Sequence, residues 1–194
     1  MTSSPVVSRS FFNRPTLTVA RELLGQRLVK LEGDQRIAGA ITETEAYIGT
    51  DDDGCHARAG ITNRNRVMWG PPGHAYVYFT YGMHWMLNFV TEQKGFPAAV
   101  LLRAVMPVEG DDVIRQRRVG RPESELTNGP AKICQAFALD RSFDGLDLCH
   151  PGSVLFIERG EDINEHSVTT GPRVGLNQVS EPWKSMPWRF QVTS

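Results

Sequence analysis

The sequence predicts an α+β fold in a single domain. Three observations predict it. The 194 residues are enough for one substantial core. Seven short stretches are strand-like, and four of them pair through tight turns into two hairpins. Three further stretches keep helical spacing of their apolar residues.

In chain order, residues 1–10 are polar, lack the apolar run of a signal peptide and are expected to form a flexible tail. The domain is then expected to span 11–194. Pro15 suits a first helical turn, Leu17, Ala20, Leu23 and Leu24 keep helical spacing, and Gly25 stops the helix. Residues 26–31 alternate as a strand, 32–34 form a turn, and 36–47 return as a longer strand. Residues 50–73 form a long polar loop rich in turn formers; such a loop is either a solvated connection or functional.

Residues 76–79 and 83–90 form a second hairpin across the turn Thr80-Tyr81-Gly82. Residues 98–105 are apolar enough for a buried strand, interrupted by Arg103. Residues 108–119 read as a helix, Pro122 ends it, and 131–139 follow Thr127-Asn128-Gly129-Pro130 as a short apolar helix. Residues 153–158 and 188–192 are strands, and 161–170 is expected to be loose.

Composition excludes several classes. With 21 basic and 22 acidic residues there is no general attraction to a polyanion, although a local basic face is still allowed. Cys55, Cys134 and Cys149 are widely spaced and odd in number, which suggests neither a disulfide framework nor a zinc site and fits a reducing cytosol. No apolar run approaches the ~20 residues of a membrane span. HExxH, P-loop, GxGxxG and GxSxG motifs are absent, and the histidines have no ligand spacing.

The chemistry concentrates on Ile41-Thr42-Glu43-Thr44-Glu45-Ala46-Tyr47-Ile48-Gly49. Alternation along a strand puts Glu43, Glu45 and Tyr47 on one face. Taken alone this is either a solvated acidic face or a general base beside a stacking platform. Arg103 inside its apolar run needs a carboxylate partner, which this strand can supply. Tyr81, beside a turn glycine, is hard to bury and suits a contact role. Acid, arginine and flat rings together suit a heteroaromatic ligand, with arginines for phosphates. An enzyme acting on a base inside a duplex must extrude it, and a wedge residue can fill the gap. Tyr81 suits that wedge, Tyr47 and Tyr78 the pocket walls, and Glu45 the base that activates water.

Ten segments, in order, resemble the alkyladenine (3-methyladenine) DNA glycosylase family of base-excision enzymes. They include FFNRP at 11–15, ITETEAYIG at 41–49, CHARAG at 55–60, AYVYFTYGMHWMLN at 75–88, VLLRAVMP at 100–107, NGPAKICQAFAL at 128–139 and RVG at 173–175. The resemblance implies a curved antiparallel sheet with flanking helices and a protruding hairpin that intercalates into DNA. It implies Glu45 as the base, with Arg103 and the carbonyl of Val174 holding its water. Tyr47, His56 and Tyr78 would sandwich the flipped base, Tyr81 would take its place in the duplex, and Asn88 would crowd guanine's amino group. Glu43 would be structural. The partner would be double-stranded DNA containing damaged purines, acted on by a monomer needing no cofactor or metal, without strand cleavage, in the cytoplasm or at a bacterial nucleoid. Substrates would be purines of the 3-methyladenine, 7-methylguanine, hypoxanthine and ethenoadenine class. Arg58, Arg64, Arg66, Arg115 and Arg118, with Arg117, are expected near phosphates on the Tyr81 face. A lesion-binding module without chemistry, and an RNA-directed or small-molecule hydrolase, are the competing readings.

Overall fold

The structure of the protein, a computed structural model, describes residues 6–193. Its elements, in order, are α1 (Arg9–Phe12), α2 (Thr16–Glu22), β1 (Arg27–Glu32), β2 (Gln35–Ile48), β3 (Ala75–Thr80), β4 (His84–Val90), β5 (Ala98–Glu109), α3 (Asp111–Arg117), α4 (Pro130–Ala136), β6 (Leu155–Glu158), β7 (Val168–Gly171) and β8 (Arg189–Val192). The strands form one eight-stranded sheet in the order β3-β4-β5-β2-β1-β6, with β8 on β2 and β7 beyond it. Every pairing between these strands is antiparallel. The α+β expectation holds.

β2 is the longest strand because it serves two partners on one edge. Its first half pairs with β1, and Glu43, Thr44 and Glu45 pair with Gln191, Phe190 and Arg189 of β8. Its other edge pairs with β5 from Ala38 to Ile48, with the register broken three times, first at Val108, an extra residue on β5 between Glu109 and Pro107. Thr42 is an extra residue on β2 between Ile41↔Val105 and Glu43↔Ala104, and Arg103 is an extra residue on β5 between Ala104 and Leu102. Bulges of this kind kink a strand and re-aim a side chain. The bulges at Thr42 and Arg103 cancel in register, and Arg103 faces the carboxylates of β2.

Strand alternation then separates two apolar layers. Ala75, Val77, Leu87, Phe89, Val100 and Leu102 face the main core, which also takes in α2 residues Val19 and Ala20 and α4 residues Ile133 and Ala136. The intervening residues Tyr76 and Ala99 face a smaller cluster with Cys55, Ala57 and Met68, against which Tyr47 and Tyr78 pack. That second face carries the site.

Several boundaries differ from the sequence reading. Residues 1–5 of the expected tail lie outside the described residues, but Val6 bridges Glu158, Val7 is buried, and Arg9 begins α1. The expected helix at 108–119 is the end of β5 followed by α3: backbone pairing of Pro107 and Glu109 with Gly39 and Ala38 outweighs local helical spacing. The loose stretch at 161–170 contains the start of β7, ordered by pairing with β8. The long polar loop holds two short 3-10 turns, His56–Ala59 and Arg66–Trp69.

Candidate active site

Glu45 is the centre of the site and is fully buried. Three elements converge on its carboxylate. The Val174 amide, in the loop between β7 and β8, donates to Oε1 at 2.7 Å. The Tyr47 hydroxyl, two residues along the same face, donates to Oε2 at 2.8 Å. Arg103 of β5 lies 3.3 Å from Oε1 and donates through Nε to Glu43 at 3.0 Å. Glu43 also pairs with Arg189 at 3.2 Å, so it balances two guanidiniums. The two glutamates therefore share a face, as alternation predicts, but only Glu45 is fully enclosed. Burial raises the Glu45 pKa above the usual carboxylate value, against the opposing pull of Arg103, the Val174 amide and the Tyr47 hydroxyl. A carboxylate in such a place is a stronger proton acceptor than one in water.

Tyr47 is one wall of a cavity of about 370 Å³. His56, Tyr76, Tyr78, Tyr81, Asn88, Arg103 and Val174 also line it. Its size is within the ordinary range for small-ligand pockets, ~300–1,000 Å³. The four strands supply their site-facing residues in alternation: Tyr47 from β2, Tyr76 and Tyr78 from β3, Asn88 from β4, and Leu101 and Arg103 from β5.

The aromatic side is ordered by hydrogen bonds. His56 Nδ1 lies 2.8 Å from the Tyr76 hydroxyl, and the His56 ring packs edge-on to Tyr78 at 4.5 Å. Burial, aided by the positive charge of Arg64, lowers the His56 pKa to about 4, so its imidazole is neutral at physiological pH. The His56 carbonyl accepts from Asn65 Nδ2 at 2.8 Å, which pins the loop. Asn88 is buried opposite Tyr76 and donates to the Tyr76 carbonyl at 3.1 Å.

Tyr81 stands at the tip of the β3–β4 turn, 80% exposed, with φ of 53°; the following Gly82 has φ of 68°. Both positive φ values belong to the tight turn that joins the strands, and the Met83 amide closes it onto the Thr80 carbonyl at 3.2 Å. Phe79 and Met83 flank Tyr81 and are also exposed.

The expected phosphate contacts divide. Arg64 lies over the Tyr78 ring at 5.0 Å and donates to the Phe79 carbonyl, so it belongs to the hairpin side of the site. Arg58 is exposed and pairs with Asp53 at 3.3 Å, and Arg66 is exposed in the second 3-10 turn. The α3 arginines are occupied within the protein. Arg115 binds Asp111 and Glu123, Arg117 binds Glu32 and the Ala136 carbonyl, and Arg118 is buried against Gln135 and the Glu125 carbonyl. Among the described residues no group of three or more His, Cys, Asp or Glu is placed to hold a metal ion. Among the described residues no helix is long and apolar enough to cross a membrane.

Sequence reasoning missed one component. Arg173, fully buried, binds Asp52 through both terminal nitrogens at 2.6 and 2.7 Å and also donates to the Ala46 and Trp183 carbonyls. Its guanidinium sits 4.6 Å from the Tyr47 ring and 5.0 Å from that of Trp188. Asp52 reads locally as one acid of a polar triplet, 121 residues from its partner. No local pattern links the two. Tyr76, in the predicted strand 76–79, likewise carries no local signal of its hydrogen bond to His56.

Comparison with known proteins gives a consistent result. The profile of the methylpurine-DNA glycosylase family matches residues 10–194. Among curated relatives, a Methanocella arvoryzae protein is 47% identical over 96% of this chain and 92% of its own length. A Chlorobaculum parvum protein is 44% identical over 95% of this chain and 86% of its own. A Carboxydothermus hydrogenoformans protein is 45% identical over 96% and 95%. Each bears the name "Putative 3-methyladenine DNA glycosylase".

Proposed function

Since the chain belongs to the methylpurine-DNA glycosylase family, a group of DNA-acting hydrolases, we propose that it flips a damaged purine out of duplex DNA into the Tyr47–Tyr78 cavity and hydrolyses its glycosidic bond with water activated by Glu45. The observation that carries this is the enclosed carboxylate of Glu45, held on both oxygens by donors from residues that line the aromatic cavity, Tyr47 and Val174. Its raised proton affinity suits it to take a proton from water. Arg103 fixes the carboxylate from the opposite strand and, beside it, would help hold the water. At Val174 it is the amide that meets Glu45; its carbonyl would serve as the water's further contact.

Tyr47, His56 and Tyr78 would enclose the extruded base, Asn88 would narrow the floor against an exocyclic amino group, and Tyr81 would occupy the vacated place in the stack. Neutral His56 leaves the pocket free of a second cation, which favours entry of purines carrying positive charge after alkylation at N3 or N7. Hypoxanthine and ethenoadenine are the neutral members of the same substrate class. No lysine is among the cavity-lining residues, which supports water as the nucleophile and an intact abasic strand as the product. The reaction so written needs no cofactor and one copy of the chain. Exposed Arg58, Arg64 and Arg66 are the preferred phosphate contacts, with Arg115 reachable only by giving up its ion pairs.

The test is single-turnover excision from duplexes containing 3-methyladenine and hypoxanthine. Glu45→Gln is expected to abolish base release while binding to the same duplexes is kept. Full activity in that variant would remove Glu45 from the mechanism, and strand scission by the wild type would overturn the abasic product.

A further inference from the structure

We propose that Arg173, locked by Asp52, is the positioning residue of Glu45: one buried guanidinium sets the backbone, the ring and the amide that meet the catalytic carboxylate. The proposal rests on the assignment of Glu45 as the base.

The geometry is specific. Arg173 reaches Glu45 by three routes. Its own chain neighbour, Val174, supplies the amide on Oε1 at 2.7 Å. Its guanidinium lies beneath Tyr47, whose hydroxyl is on Oε2. Its NH1 binds the Ala46 carbonyl, in the peptide that joins Ala46 to Tyr47, at 3.0 Å. Trp188, whose ring lies 5.0 Å from the guanidinium, accepts the Ala46 amide through its carbonyl at 2.9 Å, so both backbone groups of Ala46 are held. Asp52 holds both terminal nitrogens, and its own carboxylate is capped by the Ile48 and Gly54 amides.

A purely structural ion pair would be an expensive choice here. A buried pair often contributes no more than well-packed apolar residues of similar volume. Arg173 also leaves its Nε without an acceptor, a further cost in a fully buried group. What the pair provides is placement. An arginine fork has a fixed plane and can hold a carboxylate, two carbonyls and two rings together. Because Asp52 neutralises it, Arg173 orients Tyr47 without adding net charge behind the base pocket.

The groups facing Glu45 are Arg103 and the Val174 amide from neighbouring elements and Glu43 and Tyr47 from its own strand, with Arg189 behind Glu43. Loosening Arg173 weakens the Val174 and Tyr47 donors and leaves Arg103 and Glu43 unchanged. Both lost donors favour the charged carboxylate, so the Glu45 ionisation moves to higher pH.

The experiment is the pH profile of single-turnover hypoxanthine excision. The probe variant is the neutral pair Asp52→Asn/Arg173→Gln, which removes both charges together and leaves no unpaired ion. Its acid limb is expected about one pH unit above that of the wild type, lowering the rate about tenfold on that limb, the size expected when a hydrogen bond to a charged group is lost. Affinity for a duplex carrying an abasic site is expected to be unchanged, since Arg173 is buried away from DNA. A folded double variant with the wild-type limb overturns the proposal and leaves the pair structural. If the double variant does not fold, Arg173→Lys takes its place; it keeps the ion pair but not the fork, and a limb at the wild-type position again overturns it. Glu45→Gln is run first: if that variant keeps excision, the base assignment fails, and the failure is separate from that of Arg173.

Discussion

Tyr81→Asn separates the wedge from the fold. Tyr81 is 80% exposed, so about one fifth of a side chain of ~200 Å² is covered. At ~25 cal/mol per Å² this contact is worth about 1 kcal/mol, an upper bound because asparagine keeps part of it. The opposing term is backbone strain. A φ of 53° places a bulky residue in the left-handed region, which costs roughly 1–2 kcal/mol and which asparagine tolerates better. The two terms nearly cancel. Stability is therefore expected to change by less than about 1 kcal/mol, a melting shift within about 2–4 °C for a domain of this size. Excision is expected to behave differently. Without the ring, nothing holds the vacated place in the stack, and the flipped purine returns. Single-turnover release of hypoxanthine should fall at least ~10-fold, the factor for about 1.4 kcal/mol of lost intercalation. The assay pairs thermal unfolding with excision on one preparation. Full excision by the folded variant would refute the wedge. A melting drop beyond ~10 °C would refute the strain argument, because it would make Tyr81 a packing residue.

Two further outcomes follow from the ionisation of the site. Glu45 has its folded pKa raised by burial, so the folded state holds the proton more tightly than the unfolded chain. Its protonation stabilises the fold below the unfolded value and is lost as pH rises through the folded one. In urea titrations at several pH values, Glu45→Gln should therefore gain stability relative to the wild type as pH rises above ~4.5; a difference that does not vary with pH would show that the donors compensate burial fully. His56, lowered to about 4, should show no imidazole titration between pH 5 and 8 by NMR, and Arg64→Gln should move its midpoint upward, since Arg64 is the charge that adds to burial. Titration of His56 near 6.5 in the wild type would contradict the buried neutral ring.

What the sequence could and could not reveal follows from the range of each interaction. Alternation is local, so it placed Glu43, Glu45 and Tyr47 on one face and identified Arg103 as a charge in need of an acid. It could not rank the two glutamates. Their difference arises from β8 and the Val174 loop, which reach β2 from 129 or more residues away. The turn at Gly82 made Tyr81 legible as an exposed aromatic, because a tight turn leaves no room to bury a large ring. The end of β5 has helical spacing in the sequence, but pairing with Gly39 and Ala38, which local spacing does not encode, decides that segment. The α3 arginines looked like a basic face because charge runs carry no record of their partners. Glu32 and Gln135, which occupy Arg117 and Arg118, are distant in sequence.

The same reasoning explains why the site is divided between strands and loops. Groups whose mutual geometry must be held closely, Glu45, Tyr47, Tyr78 and Arg103, stand on strands of one sheet, where backbone pairing from β2 through β5 and β4 to β3 fixes their spacing. His56 and Val174 come from loops, and each loop is tied down by a buried side chain: Asn65 for the first and Arg173 for the second. Neither anchor touches the cavity. A loop residue can serve a site that needs strand-like placement only if such an anchor replaces the missing ladder of hydrogen bonds. The polar residues least explained by a solvated loop, Asn65 at 2% exposure and Asp52 at 0%, are therefore the ones on which the cavity's geometry depends.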